Sequence, residues 1–284
     1  MDSRSTKEKN TEEMKDLERH AVKVRRQIID MIYQGKNGHT GGSLSCVEIL
    51  VSLYFKVLRI KPEDPDWIDR DRFIMSKGHS VEALYSVLAE AGFISSELLQ
   101  TYGKFNSPLA GHPIKEIPGI ELNSGALGHG LSVGTGMALA GKRSGKDFNV
   151  YVLMGDGEQG EGSIMEAAMS AAYYQLDNLK AIIDRNQLQI SGNTEKVMAL
   201  EPLKSRWESA GWRVSEVDGH DIGQLIQELE NKSEKKPHII LANTIKGKGI
   251  SFIENNYKWH HKVPGEEQYQ QALEELENQL KAID

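Results

Sequence analysis

Three carboxylates lie inside a glycine-rich turn, GDGEQGEG, at residues 155–162. They belong to Asp156, Glu158 and Glu161, and the turn stands between the apolar run VYVLM and the helix-like segment SIMEAAMSAAYYQL. A strand, a glycine turn and a helix often hold a phosphate, because the N–H groups at a helix start point at the anion. Carboxylates would repel that anion, since two like charges about 4 Å apart cost roughly 4 kcal/mol near a protein surface. The combination therefore indicates a cation between acid and phosphate.

A hard divalent cation would reverse the repulsion. Mg²⁺ takes oxygen ligands and is usually held by one or two protein groups together with phosphate oxygens. Asp156 offers an anionic oxygen at the end of one predicted strand, and Asn186 offers an amide oxygen at the end of the next, in IIDRNQLQ. The backbone carbonyl of Leu188 follows closely. We therefore predict that Asp156, Asn186 and Leu188 bind Mg²⁺, or Ca²⁺ or Mn²⁺ in its place, and that the metal faces a diphosphate.

The stretch GDGEQG also matches the G-x-G-x-x-G fingerprint of dinucleotide-binding proteins, with Asp184 as a candidate acid for the ribose. A Rossmann-type NAD-dependent dehydrogenase is therefore an alternative. Two features count against it. The fingerprint normally opens its domain, whereas this one lies past the middle of the chain, and its carboxylates oppose a bare diphosphate.

Histidines recur in glycine-containing loops. Five of the nine follow a glycine directly: His39, His79, His112, His129 and His220. Glycine permits close approach of the backbone to a ligand, and imidazole exchanges protons near neutral pH. A single loop histidine is more often a cap for backbone groups, but several in one half of the chain favour a shared site.

Strands and helices alternate around these residues. The segments RFIMS, NVYVLM, LKAIIDRN, WRVSEVDG and HIILANT have the composition of strands, with helical patterns between them. This alternation predicts an α/β fold with a mostly parallel sheet flanked by helices. Residues 1–12 are predicted to form a polar tail, with a helix from Glu13 to Tyr33 that the segment GKNGHTGGSLS interrupts. Residues 13–284 are predicted to form a single domain.

Bulk composition excludes several classes of protein. The net charge of −7 argues against a nucleic acid or an anionic membrane as partner. The longest apolar runs are too short for a transmembrane helix. Cys46 is the single cysteine, which excludes an internal disulfide and fits a reducing compartment. The polar N-terminus lacks the apolar region of a signal peptide, so a cytoplasmic protein is predicted.

Several segments together resemble the transketolase family of thiamine diphosphate (ThDP) enzymes. The GDG turn followed by Asn186 is similar to the general ThDP signature. The segments GHTGGSLS, SKGHSVEALY and GHPIKEIPGIELNSGALGHGLSVGTGMA are similar to successive transketolase motifs, and KGKGISFIENNYKWHHK is similar to a later histidine loop. The resemblance spans about residues 15–265. It implies the diphosphate-binding (PP) domain of these enzymes, with ThDP and Mg²⁺ as cofactors.

The resemblance assigns the cofactor site residue by residue. Asp156, Asn186 and the carbonyl of Leu188 correspond to the metal ligands. The remaining positions that correspond to cofactor contacts are His79, Gly125, Leu127, Gly155, Gly157, Glu158 and Lys246. The Gly125 and Leu127 loop approaches the aminopyrimidine ring. Taken by itself, Lys246 in TIKGKGIS fits a phosphate contact and a solvated turn equally well.

The resemblance also assigns catalytic positions. His39, His79, His112 and His260 correspond to histidines that line the substrate channel, contact the cofactor or shuttle protons. Glu161 corresponds to an acid in the network that joins two cofactors across a subunit interface. Two positions depart from the pattern, since Arg185 stands where many ThDP enzymes have asparagine and His129 where glutamine is usual.

The resemblance further implies a partner. In complete transketolases a pyrimidine-binding domain follows and supplies the glutamate for the aminopyrimidine ring and groups for the sugar phosphate. The chain is therefore expected to be the N-terminal subunit of a split transketolase whose partner is a C-terminal subunit, with two copies of each. Together they would transfer a two-carbon ketol unit from a ketose phosphate to an aldose phosphate. Alternatives are deoxyxylulose-phosphate synthase, the ThDP component of 2-oxo acid dehydrogenases, and a regulatory subunit without turnover.

Overall fold

One parallel sheet forms the centre of the protein. The computed structural model describes residues 3–232 and 234–283, with side chains from residue 11 onward. The five strands of the sheet are β1 (Arg72–Met75), β2 (Val150–Gly155), β3 (Leu179–Arg185), β6 (Arg213–Asp218) and β7 (His238–Asn243), in the order β1-β2-β3-β7-β6. All four pairings are parallel. A small antiparallel hairpin follows β3 and consists of β4 (Leu188–Gln189) and β5 (Gly192–Asn193).

Helices cover both faces of the sheet. They are α1 (Ser3–Gly35), α2 (Thr40–Ser45), α3 (Val47–Ser52), α4 (Val81–Glu90), α5 (Ser96–Leu99), α6 (Gly130–Arg143), α7 (Gly162–Tyr173), α8 (Thr194–Val197), α9 (Leu203–Ser209), α10 (Ile222–Glu230) and α11 (Glu266–Ile283). Side chains alternate along each strand, so Tyr151 and Leu153 pack toward α1, α3, α4 and α10, whereas Val152 and Met154 pack toward α6, α7 and α9. The predicted α/β fold with a parallel sheet flanked by helices is confirmed.

Two local predictions differ from the structure. Helix α1 begins at Ser3 rather than at Glu13, so the predicted polar tail is helical from that residue on. Residues 3–12 contain neither proline nor glycine, and their lysines and glutamates are good helix formers. The predicted interruption at GKNGHTGGSLS contains the short, fully buried helix α2. Its glycines permit this packing, because a Cβ on Gly41 would lie 2.9 Å from the carbonyl oxygen of Trp259.

The topology directs four loops to one edge of the sheet. In a parallel sheet all strands end at the same edge, and ligands of such folds bind there. The loops after β1, β2, β3 and β7 carry Lys77, Asp156, Asn186 and Lys246 in turn. Among residues 3–232 and 234–283, no helix has the length and apolar character that a membrane crossing requires.

Candidate active site

A cavity of about 400 Å³ opens at the carboxyl edge of the sheet. Every residue predicted to contact the cofactor or the metal lines it: His79, Gly125, Leu127, Gly155, Asp156, Gly157, Glu158, Asn186, Leu188 and Lys246. Of the predicted catalytic residues, His39 and His260 line it as well, whereas His112 and Glu161 do not. Segments that are distant in sequence therefore meet in one place.

Asp156 is held in position by the backbone around it. One carboxylate oxygen accepts a hydrogen bond from the N–H of Gly157 (2.7 Å), and the other accepts one from the N–H of Gln187 (2.5 Å). The side chain is buried. Burial, and next the negative charge of Asp184, raise the pKa of the Asp156 carboxyl. A cation beside this carboxylate would offset both effects.

Asn186 and Leu188 form the second half of the predicted metal site. The amide of Asn186 donates to Asp184 (3.3 Å), and its oxygen accepts from the N–H of Leu188 (3.1 Å), which leaves that oxygen one further lone pair. The carbonyl of Leu188 accepts a hydrogen bond from the ammonium of Lys246 (3.1 Å). A metal at this carbonyl would therefore have to share it with Lys246 or displace the ammonium, which the sequence did not indicate.

The other two acids of the glycine turn do not face the cavity as free charges. Glu158 is buried and accepts hydrogen bonds from the hydroxyl of Ser76 and from the N–H groups of Gly128 (2.8 Å) and Gly155 (3.0 Å). Burial raises the pKa of the Glu158 carboxyl. Glu161 is exposed and lies outside the cavity lining. The repulsion expected from three carboxylates is thus largely reduced to that of Asp156.

A buried ion pair lies beside the cavity, with Lys77 but not Asp184 in the cavity lining. The ammonium of Lys77 contacts the carboxylate of Asp184 and donates to the carbonyl of Gly42 (2.9 Å). Asp184 also accepts from the hydroxyls of Ser45 (2.5 Å) and Thr244. The sequence had offered Asp184 as a ribose acid of a dehydrogenase. Its side chain is fully buried and its oxygens are occupied, so it cannot contact a ribose.

The histidines form one cluster around His39. Its ring centroid lies 5.4 Å from that of His79, 5.5 Å from that of His260 and 6.1 Å from that of His112. His112 is exposed and packs at the mouth, where a Cβ on Gly125 would come within 2.9 Å of its ring. His261, which the sequence analysis left without a role, is exposed, and its ring lies 4.7 Å from that of His39.

The imidazoles inside the cavity are held neutral. Burial, and next the charge of His261, lower the pKa of His39 to about 4. Burial, and next the charge of Lys246, lower the pKa of His260 to about 3. The pKa of His79 is also well below its usual range, because of burial and then Lys77. A neutral imidazole of this kind can accept a hydrogen bond from a hydroxyl group. Its full protonation is unfavourable at neutral pH unless a negative charge lies beside it.

Comparison with known proteins decides the family. The family profile described as "Transketolase, thiamine diphosphate binding domain" matches residues 17–280. This chain belongs to the transketolase family. The diphosphate-binding domain expected from its motifs is thereby confirmed, and the chain is an enzyme chain of the transferase class.

Its relatives include transketolases made of separate subunits. One subunit of the apulose-4-phosphate transketolase of Phocaeicola vulgatus is 51% identical over 96% of this chain and 98% of its own length. The 6-deoxy-6-sulfo-D-fructose transketolase subunit SqwG of Clostridium sp. is 40% identical over 95% of this chain and 99% of its own length. The prediction of a split-transketolase N-terminal subunit is confirmed by these matches.

Solved transketolases share the fold. The crystal structure of the Campylobacter jejuni transketolase superposes with a TM-score of 0.86 at 30% identity, and the match covers 94% of this chain and 45% of that one. The chain therefore spans less than half of the length of that transketolase.

The transketolase domain has room and unused polar atoms for ThDP. The Nδ1 atoms of His39 and His260 are buried and have no hydrogen-bond partner within the described residues. Gly155 lines the cavity, and a Cβ added to it would meet no atom nearer than 3.8 Å. Lys77 and Lys246 also line the cavity, and the ammonium of Lys77 is paired with Asp184. These features fit an anionic cofactor with polar ring atoms.

The two departures from the transketolase pattern lie outside the cavity lining. Arg185 is buried and donates to Thr194 (2.9 Å), Glu195 (3.2 Å) and Glu201 (2.9 Å), so it ties the end of β3 to the segment after the β4–β5 hairpin. It also contacts the carboxylate of the predicted metal ligand Asp156 (3.5 Å). His129 is exposed at the start of α6. Neither replacement removes a predicted metal ligand.

Two residues support the site from outside the predicted set of site residues, and the sequence indicated a structural role for one of them, Glu82. Lys77 stands inside the quoted segment SKGHSVEALY, but only the fold reveals that it pairs with Asp184. Glu82 is buried in α4 and accepts hydrogen bonds from the N–H of His39 (3.1 Å) and the hydroxyl of Ser43 (2.8 Å). The signal available in the sequence was a lysine directly after a predicted strand and a glutamate in an otherwise largely apolar helical segment.

Proposed function

We propose that this chain is the cofactor-binding subunit of a ThDP- and Mg²⁺-dependent transketolase that transfers a two-carbon ketol unit from a ketose phosphate to an aldose phosphate. One observation carries the proposal. In a chain with the transketolase ThDP-binding domain, a single cavity is lined by an acid and an amide on adjacent strand ends, two lysines and three neutral histidines.

Asp156 and Asn186 would hold the metal. They follow neighbouring strands, β2 and β3, whose register pairs Gly155 with Asp184. In the described part of the chain no three His, Cys, Asp or Glu side chains form a metal cluster. The proposed ion would therefore rest on one carboxylate and on neutral oxygens, with diphosphate oxygens completing its shell, which suits Mg²⁺. Lys246 would neutralise further diphosphate charge.

When bound, ThDP would supply the nucleophile for the transfer through its thiazolium ring. His39, His79 and His260 would act on the sugar. Their neutral rings can accept hydrogen bonds from its hydroxyl groups, and negative charge of a bound cofactor would favour proton uptake by them. His112 and His261 lie at the mouth, where they would contact the part of the sugar that enters last. Glu161 would take part in contacts with a neighbouring subunit, since it is exposed.

A partner subunit with a pyrimidine-binding domain would complete the site, in an assembly with two copies of each chain. Exposed apolar side chains support this proposal. Met169 and Tyr173 on α7 are 61% and 80% exposed, and Ile190 and Met198, beside the β4–β5 hairpin, are 71% and 65% exposed. Large apolar side chains left in water on one region commonly mark an interface. Obligate interfaces commonly bury about 2,000 Å² or more.

The names of the relatives suggest donors to test. Apulose 4-phosphate and 6-deoxy-6-sulfofructose appear in them, and both are ketoses with an anionic or branched end. We propose that a specialised ketose of this kind is the donor, with xylulose 5-phosphate as the general comparison. The predicted cytoplasmic location stays a proposal too, and the burial of the single cysteine, Cys46, is compatible with it.

Calorimetry and turnover test the proposal together. The chain should be expressed alone and together with a C-terminal transketolase subunit that carries a pyrimidine-binding domain. We expect ThDP to bind the assembled protein with Mg²⁺ and to lose that affinity with chelator or in Asp156→Ala. Ketol transfer to ribose 5-phosphate should occur only in the assembly.

Several outcomes would contradict the proposal in different ways. Equal ThDP affinity with and without metal would overturn the metal bridge. Tight, metal-dependent binding without turnover on any ketose phosphate would favour a regulatory subunit. Turnover with pyruvate as donor would favour deoxyxylulose-phosphate synthase or a 2-oxo acid dehydrogenase component. Asp64→Ala serves as the matched control for Asp156→Ala in ThDP binding, because it removes an exposed acid in the loop before β1, outside the cavity lining.

A further inference from the structure

The turn that carries Lys246 is hydrogen-bonded to a cluster of three largely buried residues from other elements, on the side away from the cavity. We call Arg25, Glu48 and His220 the Glu48 cluster. They come from α1, α3 and the loop after β6, and their side chains are 4%, 9% and 11% exposed. Arg25 donates to one carboxylate oxygen of Glu48, and His220 Nδ1 lies 3.0 Å from the other. None of the three lines the active-site cavity.

The cluster reaches the Lys246 turn at both ends. The N–H of Ile245 donates to Nε2 of His220 (2.8 Å), immediately before Lys246. The Nε of Arg25 donates to the carbonyl of Lys248 (3.0 Å), two residues after it. Between these contacts the chain turns sharply at Gly247, whose φ is +81°.

Hydrogen bonding decides the tautomer of His220. A backbone N–H can only donate, so Nε2 must carry a lone pair and the proton of the neutral ring must be on Nδ1. Nδ1–H then donates to Glu48. Burial alone would raise the pKa of Glu48, but the Arg25 charge and the His220 contact outweigh it and lower that pKa to about 2, so Glu48 stays an acceptor. The donors and acceptors of the cluster thus match in one arrangement.

We propose that His220 is a positioning residue for Lys246. It fixes the N–H of Ile245, and through it the direction in which the Lys246 side chain enters the cavity toward the carbonyl of Leu188. Glu48 and Arg25 orient His220 and hold the far side of the turn. The inference rests on the proposed function in one respect, namely that the task of Lys246 is to bind the cofactor.

Two substitutions separate this role from that of a simple ion-pair partner. The amide of glutamine extends to about the place of Nε2, so His220→Gln keeps an acceptor for Ile245 and loses the donor to Glu48. The amide of asparagine stands at about the place of Nδ1, so His220→Asn keeps the donor to Glu48 and loses the acceptor. If His220 positions the turn, His220→Gln should keep the parental amide exchange of the turn and the parental ThDP affinity, and His220→Asn should not. If His220 merely pairs with Glu48, the order is reversed.

Amide hydrogen exchange provides a readout that needs no cofactor. In His220→Asn, the segment 244–249 should exchange about five- to tenfold faster than in the parent, as expected for the loss of one backbone hydrogen bond. His220→Gln should exchange like the parent. His238→Asn is the control. His238 is a buried histidine at the start of β7, the strand that leads into the Lys246 turn, and its ring bonds Ser215 (2.9 Å) at the far end of that strand from the turn. It should lower thermal stability without changing exchange at 244–249.

ThDP binding by the assembled enzyme completes the test. The dissociation constant should rise at least about fivefold in His220→Asn and remain near the parental value in His220→Gln and His238→Asn. Equal values for the two His220 variants, or a larger defect in His220→Gln, would overturn the inference. Failure of the parent to bind ThDP would instead refute the proposed function, and the exchange experiment would still decide whether His220 holds the turn.

Discussion

Single residues in the cavity differ in whether their hydrogen-bonding capacity is used within the chain. Glu158 and Asp184 are surrounded by donors, so they serve the architecture of the site. The Nδ1 atoms of His39 and His260 have capacity to spare within the described residues. Substrate-directed chemistry is therefore expected from the histidines rather than from the buried acids.

His260→Ala is predicted to lower turnover of the assembled enzyme by about 10²–10⁴-fold, the usual contribution of one acid–base group. The dissociation constant of ThDP should change little, because the cofactor would keep its metal and lysine contacts. Steady-state kinetics and calorimetry on the same preparation measure the two effects. His20→Ala is the control, since His20 stacks on Phe55 away from the cavity. Near-parental turnover in His260→Ala would assign this histidine to the structure of its loop.

Lys77→Met is predicted to destabilise the fold by about 3–5 kcal/mol, because it leaves the carboxylate of Asp184 buried and unpaired. The pair is ionised in the folded protein, since the pKa of Lys77 is raised and that of Asp184 is lowered by their mutual attraction despite burial. Urea unfolding measures the loss. The double variant Lys77→Met/Asp184→Asn should recover part of it, because no uncompensated charge remains. A loss below about 1 kcal/mol in the single variant would contradict a buried charge pair.

At the scale of elements, the site is a set of loops forced together by the sheet. The segments after β1 and β7 bring His79 and His260 to a ring distance of 5.4 Å. Helix α4 adds Glu82, whose carboxylate accepts a hydrogen bond from the backbone N–H of His39. The loops therefore bury imidazole rings next to one another and next to lysines, and this arrangement makes their protonation unfavourable.

Acidic pH is accordingly predicted to destabilise the folded protein through the loops that carry His39 and His260. His39 and His260 bind protons with pKa values of about 4 and 3 when folded, against about 6.5 when unfolded. Because the unfolded chain binds more protons, their contribution to stability is complete above about pH 6.5 and falls as the pH decreases toward about 4. The free energy of unfolding, measured with urea at about pH 7.5 and about pH 5, should decrease less between these pH values in His39→Gln/His260→Gln than in the parent. An identical loss in both proteins would mean that other groups cause the acid sensitivity.

At the scale of the whole molecule, the exposed apolar side chains of α7 lie outside the cavity lining, whereas the exposed Ile190 of the β4–β5 hairpin belongs to it. Met169 and Tyr173 lie on one face of α7, four residues apart, so their side chains are neighbours on the helix surface. Both are largely exposed. A surface of this kind is expected to be covered in the assembled enzyme.

Tyr173→Glu is predicted to weaken assembly with the partner chain at least about tenfold, because a charge would be buried in an apolar contact. Analytical ultracentrifugation of the mixed subunits measures this effect. The thermal stability of the isolated chain should be unchanged, since the side chain is 80% exposed. Ile68→Glu is the control, because Ile68 is 61% exposed in the loop before β1, at the opposite edge of the sheet from the cavity. Parental assembly of Tyr173→Glu would place the interface elsewhere.

The sequence by itself determined the alternation of strands and helices and the residue types at the strand ends. Apolar runs such as VYVLM and AII are buried on both faces, so they specify strands of a parallel sheet without help from distant residues. Because parallel strands end at one edge, the sequence also indicated that Asp156 and Asn186 would be neighbours. The motifs were sufficient for the family, since each of them is a contiguous segment.

Tertiary structure alone decided how the charges are distributed. Sequence cannot show that Glu158 is surrounded by donors, that Glu161 faces outward, or that Lys77 pairs with Asp184, because these partners lie on segments far apart in the chain. The same is true of the Leu188 carbonyl, which Lys246 reaches from the loop after β7. It is true of the Glu48 cluster, which α1, α3 and the loop after β6 assemble behind that lysine. Ionisation and hydrogen bonding depend on burial and on neighbours within a few ångströms, and only the packed fold brings those neighbours together.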